Sequence, residues 1–187
     1  MFIVYKTTCL INNKIYIGVH ETNTPDLFDG YIGNSINIYN HKYALEHPKF
    51  PFHYAVIKYG VNSFKRETLF TFKTAKEAYD KEEEIVNEEF IKKMDNYNIT
   101  VGGKKPTAKH YKVYQFDYNG KLLNSYDSII IASKLNEIYY STLLNAIKDK
   151  RGTGGYYWSK EPKIDVSEYY YKVPLKYYIY NSDGEFI

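Results

Sequence analysis

Four side chains have the types and spacing for phosphate chemistry: two tyrosines, one histidine and one inward-facing glutamate. Residues 75–93 carry a helical pattern, and at 100° per residue Ala75, Ala78, Ile85 and Val86 fall within about 60° of Glu82. Glu83, Glu84 and Glu88 point elsewhere, while Glu89 also lies near the apolar stripe. A carboxylate in such a stripe costs several kcal/mol unless it is paired or holds a cation. Glu82 is therefore a functional candidate, with a lysine partner in the core as the alternative. Tyr5 and Tyr16 stand 11 residues apart on two segments of strand character. Gly18 allows close backbone approach beside them, and His20 follows. No serine or cysteine nucleophile accompanies this set. A divalent ion on Glu82 would stabilise a pentacovalent phosphate and its leaving oxygen, and His20 or a tyrosine would move the proton from water.

The elements that must position these residues are legible as patterns. Residues 2–7 and 14–19 read as a hairpin, 21–34 as a polar loop, 36–46 and 52–59 as helices, and 63–72 as a third strand. Thr74 with Glu77 forms a capping box that opens a long helix running to about Lys93. Residues 96–101 read as short and extended, and Gly102-Gly103 ends the unit. Residues 104–111 form a Pro-containing linker. Two strands then flank Asn119-Gly120, a strong hairpin signal, followed by short helices at 128–135 and 141–148 and by Gly152-Thr153-Gly154-Gly155 before Tyr156-Tyr157-Trp158. Residues 177–187 repeat the pattern of 113–123 at an offset of 64, so the tail from 161 reads as the start of a second module, in a longer chain or as an extra hairpin. The fold class is α/β (α+β): a small mixed or antiparallel sheet flanked by helices, then a β-hairpin with a helix-turn-helix.

Composition narrows the partners. The chain has 187 residues, 44% hydrophobic, 25% charged and 18% aromatic. That suffices for a packed core and argues against wholesale disorder. No apolar run reaches the ~18 residues of a membrane span, and no signal-peptide pattern opens the chain. A single cysteine, Cys9, excludes an internal disulfide framework, and the default is a soluble protein in a reducing compartment. The 23 tyrosines and the near absence of arginine follow from A/T-rich codons, so tyrosine abundance is not itself a binding signal. Charge is uneven: residues 1–103 hold 12 Lys/Arg against 13 Asp/Glu, whereas residues 104–160 hold 10 against 4. A concentrated positive charge suits a polyanion such as nucleic acid.

Ile3-Val4-Tyr5 followed across a hairpin by Tyr16-Ile17-Gly18 resembles the defining motif of the GIY-YIG nucleases. Asn12-Asn13-Lys14-Ile15 is similar to the phage homing-endonuclease branch. Gly18-Val19-His20 with Asp29-Gly30-Tyr31-Ile32-Gly33 resembles a phage and bacterial subgroup. Ala78-x-x-x-Glu82-x-x-x-Val86 is similar to the family's catalytic helix, and the segment from Asn96 to Gly103 to its closing stretch. The resemblance covers residues 1–103. It implies that Tyr5, Tyr16, His20 and Tyr31 line the site, that Glu82 is the ligand of one Mg²⁺ or Mn²⁺ ion, and that Asn98 orders the site. The chain departs from the motif at Ile3 and Val4. Residues 19–65 also lack the family's arginine, which leaves Lys42, His41 or His20 for that role, because Arg66 comes late in the order.

Residues 112–160 resemble the modular DNA-binding repeat attached to homing nucleases, with Ala132, Leu135, Ile138, Leu143 and Ile147 as its core. The second helix would face the major groove with Tyr140, Ser141, Thr142, Asn145 and Lys148, and Lys150 and Arg151 would hold the backbone. The implied protein is a metal-dependent, site-preferring DNA endonuclease acting on double-stranded DNA as a monomer or weak dimer. It would need no small-molecule cofactor and no membrane, and would act in the cytoplasm of a bacterial host, phage-encoded. Two alternatives stand: a catalytically degenerate DNA-binding regulator, and a structure-specific nuclease on branched DNA or RNA.

Overall fold

A computed structural model describes residues 1–103 and 111–170. The chain runs through β1 (Phe2–Cys9), β2 (Ile15–Glu21), β3 (Tyr31–Gly33), β4 (Ile36–Asn37), α1 (Lys42–Glu46), α2 (Pro51–Tyr59), β5 (Phe64–Phe72), α3 (Ala75–Ile85) and α4 (Glu88–Lys92). It continues through β6 (Val113–Phe116), β7 (Leu122–Tyr126), α5 (Ile129–Leu135), α6 (Tyr140–Lys148) and β8 (Tyr157–Ser159). The α+β expectation holds. One antiparallel sheet has the order β2-β1-β5, a second the order β7-β6-β8, and β3-β4 is a two-stranded ribbon. Most of the expected linker (104–110) and the expected second hairpin (177–187) lie outside the described residues.

The alternation of β1 divides its side chains between two cores, as a sheet covered on both faces requires. Val4 joins Ile17, Ala78, Val86 and Ile91 under α3 and α4. Cys9 joins Ile32, Ile36, Phe52, Val56 and Phe64 under α2 and the ribbon. The capping box at the start of α3 forms as expected: Thr74 Oγ1 accepts from the Glu77 N–H, and Glu77 accepts from the Thr74 N–H.

Expectations for four segments are adjusted. The helix expected over 36–46 shrinks to α1, and the expected loop 21–34 contains β3. Asn34 and Ser35 both adopt positive φ and make a two-residue turn between β3 and β4, the geometry a tight hairpin demands. The long helix is broken after Ile85. Asn87 caps α4 by accepting from the Phe90 N–H, and the Val86 carbonyl accepts from the Gly102 N–H (2.7 Å). Asn119-Gly120 does turn the β6-β7 chain, but over five residues. Gly120 sits at φ +80°, and Asp117 Oδ1 accepts from the N–H groups of Asn119 and Lys121.

The carboxy-terminal core gathers Val113, Ala132, Ile138, Leu143 and Trp158. Of its expected members, Ala132, Ile138, Leu143 and Ile147 are there, whereas Leu135 faces the amino-terminal portion. Residues 161–170 pack back on this portion: Tyr169 lies against Tyr157, the Gly152 N–H donates to the Tyr170 carbonyl, and the Tyr170 N–H donates to the Lys150 carbonyl. Ile130 of α5 joins the core beneath α3. Beside it, buried Lys134 donates to the carbonyl and Oδ1 of Asn96 (2.8 and 2.6 Å). Burial, and then the charge of Lys14, push the Lys134 ammonium down to about 7, with Asp95 opposing.

That depression sets a pH dependence. Between about 7 and the ordinary lysine value near 10.4, the unfolded chain binds a proton that the folded chain has released. Stability from this group therefore rises with pH over that window, by up to about 1.4 kcal/mol per pH unit. Urea unfolding at pH 7, 8 and 9 is expected to show this slope, and Lys134→Met to flatten it.

Candidate active site

Tyr5 pairs directly with Gly18, and Thr7 with Tyr16, so both rings stand on one face of the sheet, two residues apart on the diagonal. His20, opposite Ile3, follows on that face, and β5 brings Arg66 opposite Thr7. Gly18 is required here: a Cβ would lie 2.8 Å from the Tyr5 hydroxyl and 3.1 Å from the Tyr16 ring. Gly33 closes the other side, where a Cβ would lie 2.9 Å from the Tyr16 ring and 3.1 Å from the Tyr5 hydroxyl. Tyr31 meets Tyr5 edge-on at 5.9 Å between ring centroids and stacks on His20 at 4.2 Å. The structure thus brings Tyr5, Tyr16, Tyr31 and His20 together.

Both phenols are held neutral. Tyr5 is 1% exposed, and burial raises its hydroxyl well above 10, helped by Tyr16, Tyr31 and the charge of Glu82. Burial, Tyr31 and Glu82 push Tyr16 up as well, against the hydrogen bond with Tyr5. These hydroxyls are donors at neutral pH, and the sequence-based option of a tyrosine base is not supported by their environment.

Glu82 is half-buried on α3, and its charge acts on both Tyr5 and Tyr16. One oxygen accepts from the Gly103 N–H (3.1 Å), and among the described residues no cation stands at ion-pair distance. The expected alternative, a core lysine partner, is therefore absent there. Burial raises the Glu82 carboxyl, with the Gly103 hydrogen bond opposing. Glu89, the other acid near the stripe, is exposed and pairs with Lys92. No group of three His, Cys, Asp or Glu side chains is gathered for a metal among the described residues. One carboxylate with free lone pairs fits a Mg²⁺-class ion, which keeps several waters and shares substrate phosphate oxygens, and does not fit zinc.

Asn98 acts on the backbone. Its Oδ1 accepts from the Ile17 N–H (3.0 Å) and its Nδ2 donates to the Ile17 carbonyl (2.7 Å). It thereby completes the outer edge of β2 between Tyr16 and Gly18.

Residue order alone did not place four further groups. Asp29 Oδ2 pairs with His20 Nε2 (2.7 Å), and Asp29 Oδ1 accepts from Arg66 Nη1 (2.8 Å). Arg66 also donates to the Tyr31 carbonyl, and its side chain is 2% exposed. Burial works to raise the Asp29 carboxyl. The hydrogen bonds from His20 and the Tyr31 N–H, with the charge of Arg66, outweigh it and hold the carboxyl below the usual range. Tyr16 donates to Asn34 Oδ1 (3.2 Å), and the Asn34 carbonyl contacts His53 Nε2 (2.9 Å). The signal for Asp29 and Asn34 lay in the 29–35 stretch; Arg66 had none, since its role depends on strand pairing.

Lys42 sits exposed on α1, where it faces Glu46 at 3.8 Å, and His41 is tied to the Ile38 carbonyl. On α6, Ser141, Asn145 and Lys148 are exposed at helical spacing, while Tyr140 and Thr142 are half-buried. Lys150 pairs with Glu168, and the Arg151 Nε, buried and without a hydrogen bond among the described residues, lies 3.6 Å from Asp149. Both are engaged within the chain rather than free on its surface.

The chain is 38% identical over 110 residues to the proposed endonuclease segD of Enterobacteria phage T4, covering 58% of this chain and 42% of that protein. It is 45% identical over 100 residues to the proposed endonuclease segE (54% and 41%). It is 33% identical over 109 residues to endonuclease segA of the same phage (58% and 42%). These matches span less than half the length of each relative. No family model and no solved structure matches the chain. No helix among the described residues is long and apolar enough to cross a membrane.

Because the Glu82 proton is held longer in the folded chain, the stability linked to it is lost as pH rises through its raised value. Charged Glu82 is thus a cost at pH 7. Glu82→Gln, which keeps the acceptor for Gly103, is expected to raise Tm by about 2 °C, measured by calorimetry.

Proposed function

We propose that the chain is a metal-dependent DNA endonuclease of GIY-YIG type, with residues 1–103 cutting and residues 112–160 binding duplex DNA. The single observation that carries this reading is Glu82: a half-buried carboxylate with no countercharge among the described residues, whose charge acts on two phenols kept neutral over a glycine-lined strand. The named relatives support phosphodiester hydrolysis as the chemistry.

The Tyr16 O–H, turned from Asn34 Oδ1, donates to the scissile phosphate or the attacking water, and the buried Tyr5 ring holds the Tyr16 ring in place. His20 is the base. With Asp29 accepting from Nε2–H, the neutral ring carries its lone pair on Nδ1. Water gives its proton to Nδ1 as its oxygen bonds to phosphorus. The bond to the leaving oxygen breaks, and that oxygen takes a proton from solvent. Asp29 stabilises the imidazolium, and Arg66 keeps Asp29 ionised and aimed. A divalent ion held by Glu82 supplies charge compensation at the phosphate. Tyr31 keeps the imidazole plane by stacking, and Asn98 is a positioning residue.

On the carboxy-terminal portion, Ser141, Asn145 and Lys148 form the exposed strip of α6 suited to a groove. A second reading, DNA binding without cleavage, is favoured by one observation: Arg66, the lone arginine of residues 1–103, is locked beneath Asp29 and unavailable to phosphate.

Plasmid nicking with Mg²⁺ separates the two. Wild type is expected to nick, His20→Ala to lose about 100-fold or more, and Glu82→Gln to lose activity while staying folded. Equal nicking by wild type and Glu82→Gln removes Glu82 from the mechanism, and binding without nicking selects the second reading. For the binding portion, Lys148→Ala is expected to lower the salt dependence of DNA affinity by roughly one counterion, read by fluorescence anisotropy across a salt series.

A further inference from the structure

The junction between α5 and residues 96–97 forms an open pocket of about 140 Å³ that the cutting chemistry does not use. Three lysines from separate elements line it: Lys14 at the start of the β2 arm, Lys58 on α2 and Lys134 on α5. Among the described residues Glu137, exposed, is the one acid on its wall. Among the described residues no carboxylate stands at ion-pair distance from any of the three lysines. Lys134 is 9% exposed and among the described residues donates to the neutral acceptors of Asn96, with the Asp95 carboxylate acting on it without forming an ion pair. A buried ammonium without a counter-ion is costly, and Lys14 adds repulsion. A tetrahedral oxyanion displacing several waters would offset both.

We propose that this junction cavity is an oxyanion site that takes a phosphate group, either free inorganic phosphate or one backbone phosphodiester of DNA. Its position gives it a consequence. Lys134 holds Asn96, the Tyr97 N–H donates to the Ile15 carbonyl (2.7 Å), and Asn98 clasps Ile17. A bound phosphate therefore ties α5 to the segment that fixes the tyrosine strand β2. Only the DNA source rests on the endonuclease reading; the anion site itself does not.

Thermal unfolding of the full chain in 0–50 mM phosphate at constant ionic strength tests it, comparing wild type with Lys14→Gln/Lys58→Gln. Both substitutions are at partly or fully exposed positions and leave Lys134 in place. Wild type is expected to gain about 2–4 °C saturably, and the variant to show only the smaller, non-saturating rise of a kosmotropic salt. Equal rises in both proteins overturn the site. Duplex DNA then distinguishes the sources. If phosphate competes with DNA and the variant's salt slope falls by about one to two, the occupant is the DNA backbone. If DNA affinity is the same in both proteins while the thermal shift persists, it is free phosphate. A chain that binds no DNA leaves the thermal comparison intact, so failure of the endonuclease reading is distinct from failure of the site.

Discussion

The pairing of Tyr5 with Gly18 across β1 and β2 is the constraint on which the site depends. An antiparallel register places side chains opposite one another in fixed pairs, and a slip of one residue turns every ring to the other face. With no side chain at position 18, the Tyr5 ring lies across the strand, and Tyr16 leans in on the diagonal. Asn98 secures the register from outside by occupying both backbone groups of Ile17. The hairpin thus gains a side-chain substitute for one step of a neighbouring strand on its open edge. An unpaired edge at that point would leave β2 free to fray beneath the rings it carries.

The electrostatics of the two carboxylates diverge because their surroundings do. Glu82 gains one neutral donor and loses water, so its charged form is disfavoured and suited to gaining a cation. Asp29 has Arg66 and His20 at hydrogen-bond distance and is held ionised. Among the described residues one acid has no cationic partner, while the other has two and passes its influence to an imidazole. Two acids on one site tuned in opposite directions indicate division of labour. The buried arginine belongs to the scaffold: with its planar guanidinium engaged by Asp29 and the Tyr31 carbonyl, it fixes the loop that carries both Asp29 and Tyr31.

Local signals were legible where a residue acts on its near neighbours. The Thr74–Glu77 capping box, the hairpin around residues 10–14, α2 ending at Gly60 and the inward direction of Glu82 all follow from spacing alone. What escaped depends on contacts distant in sequence. Arg66 lies 37 positions from Asp29, and only the pairing of β5 with β1 brings them together. The helix after Thr74 reads as continuous because Glu, Ile and Phe keep its period. It breaks because Gly102 captures the Val86 carbonyl, while Asn87 offers a ready cap for a second start. The Asn34-Ser35 turn lacks the glycine that marks most tight hairpins, so β3 and β4 are hidden inside a polar stretch.

The two portions are more than tethered. Ile130 enters the apolar layer beneath α3, and Lys134 directs two hydrogen bonds at Asn96, two residues from the side chain that holds β2. A buried ammonium is a poor choice for adhesion alone, since a methionine or leucine would fill the space without the desolvation cost. What an ammonium adds is direction. It must find oxygen acceptors, and the carbonyl and side chain of Asn96 offer two in one place. Asn96 is itself fixed, with its Nδ2 donating to the Phe90 carbonyl and its backbone bridging to Ile15. Rotation of α5 against the sheet would strand that charge without an acceptor, a far steeper penalty than sliding one apolar surface over another. The contact therefore specifies one orientation between the portion carrying the tyrosine cluster and the portion carrying the exposed strip of α6. The proposed nuclease would use such an orientation to hold the tyrosine cluster and the α6 strip at a set spacing along one duplex.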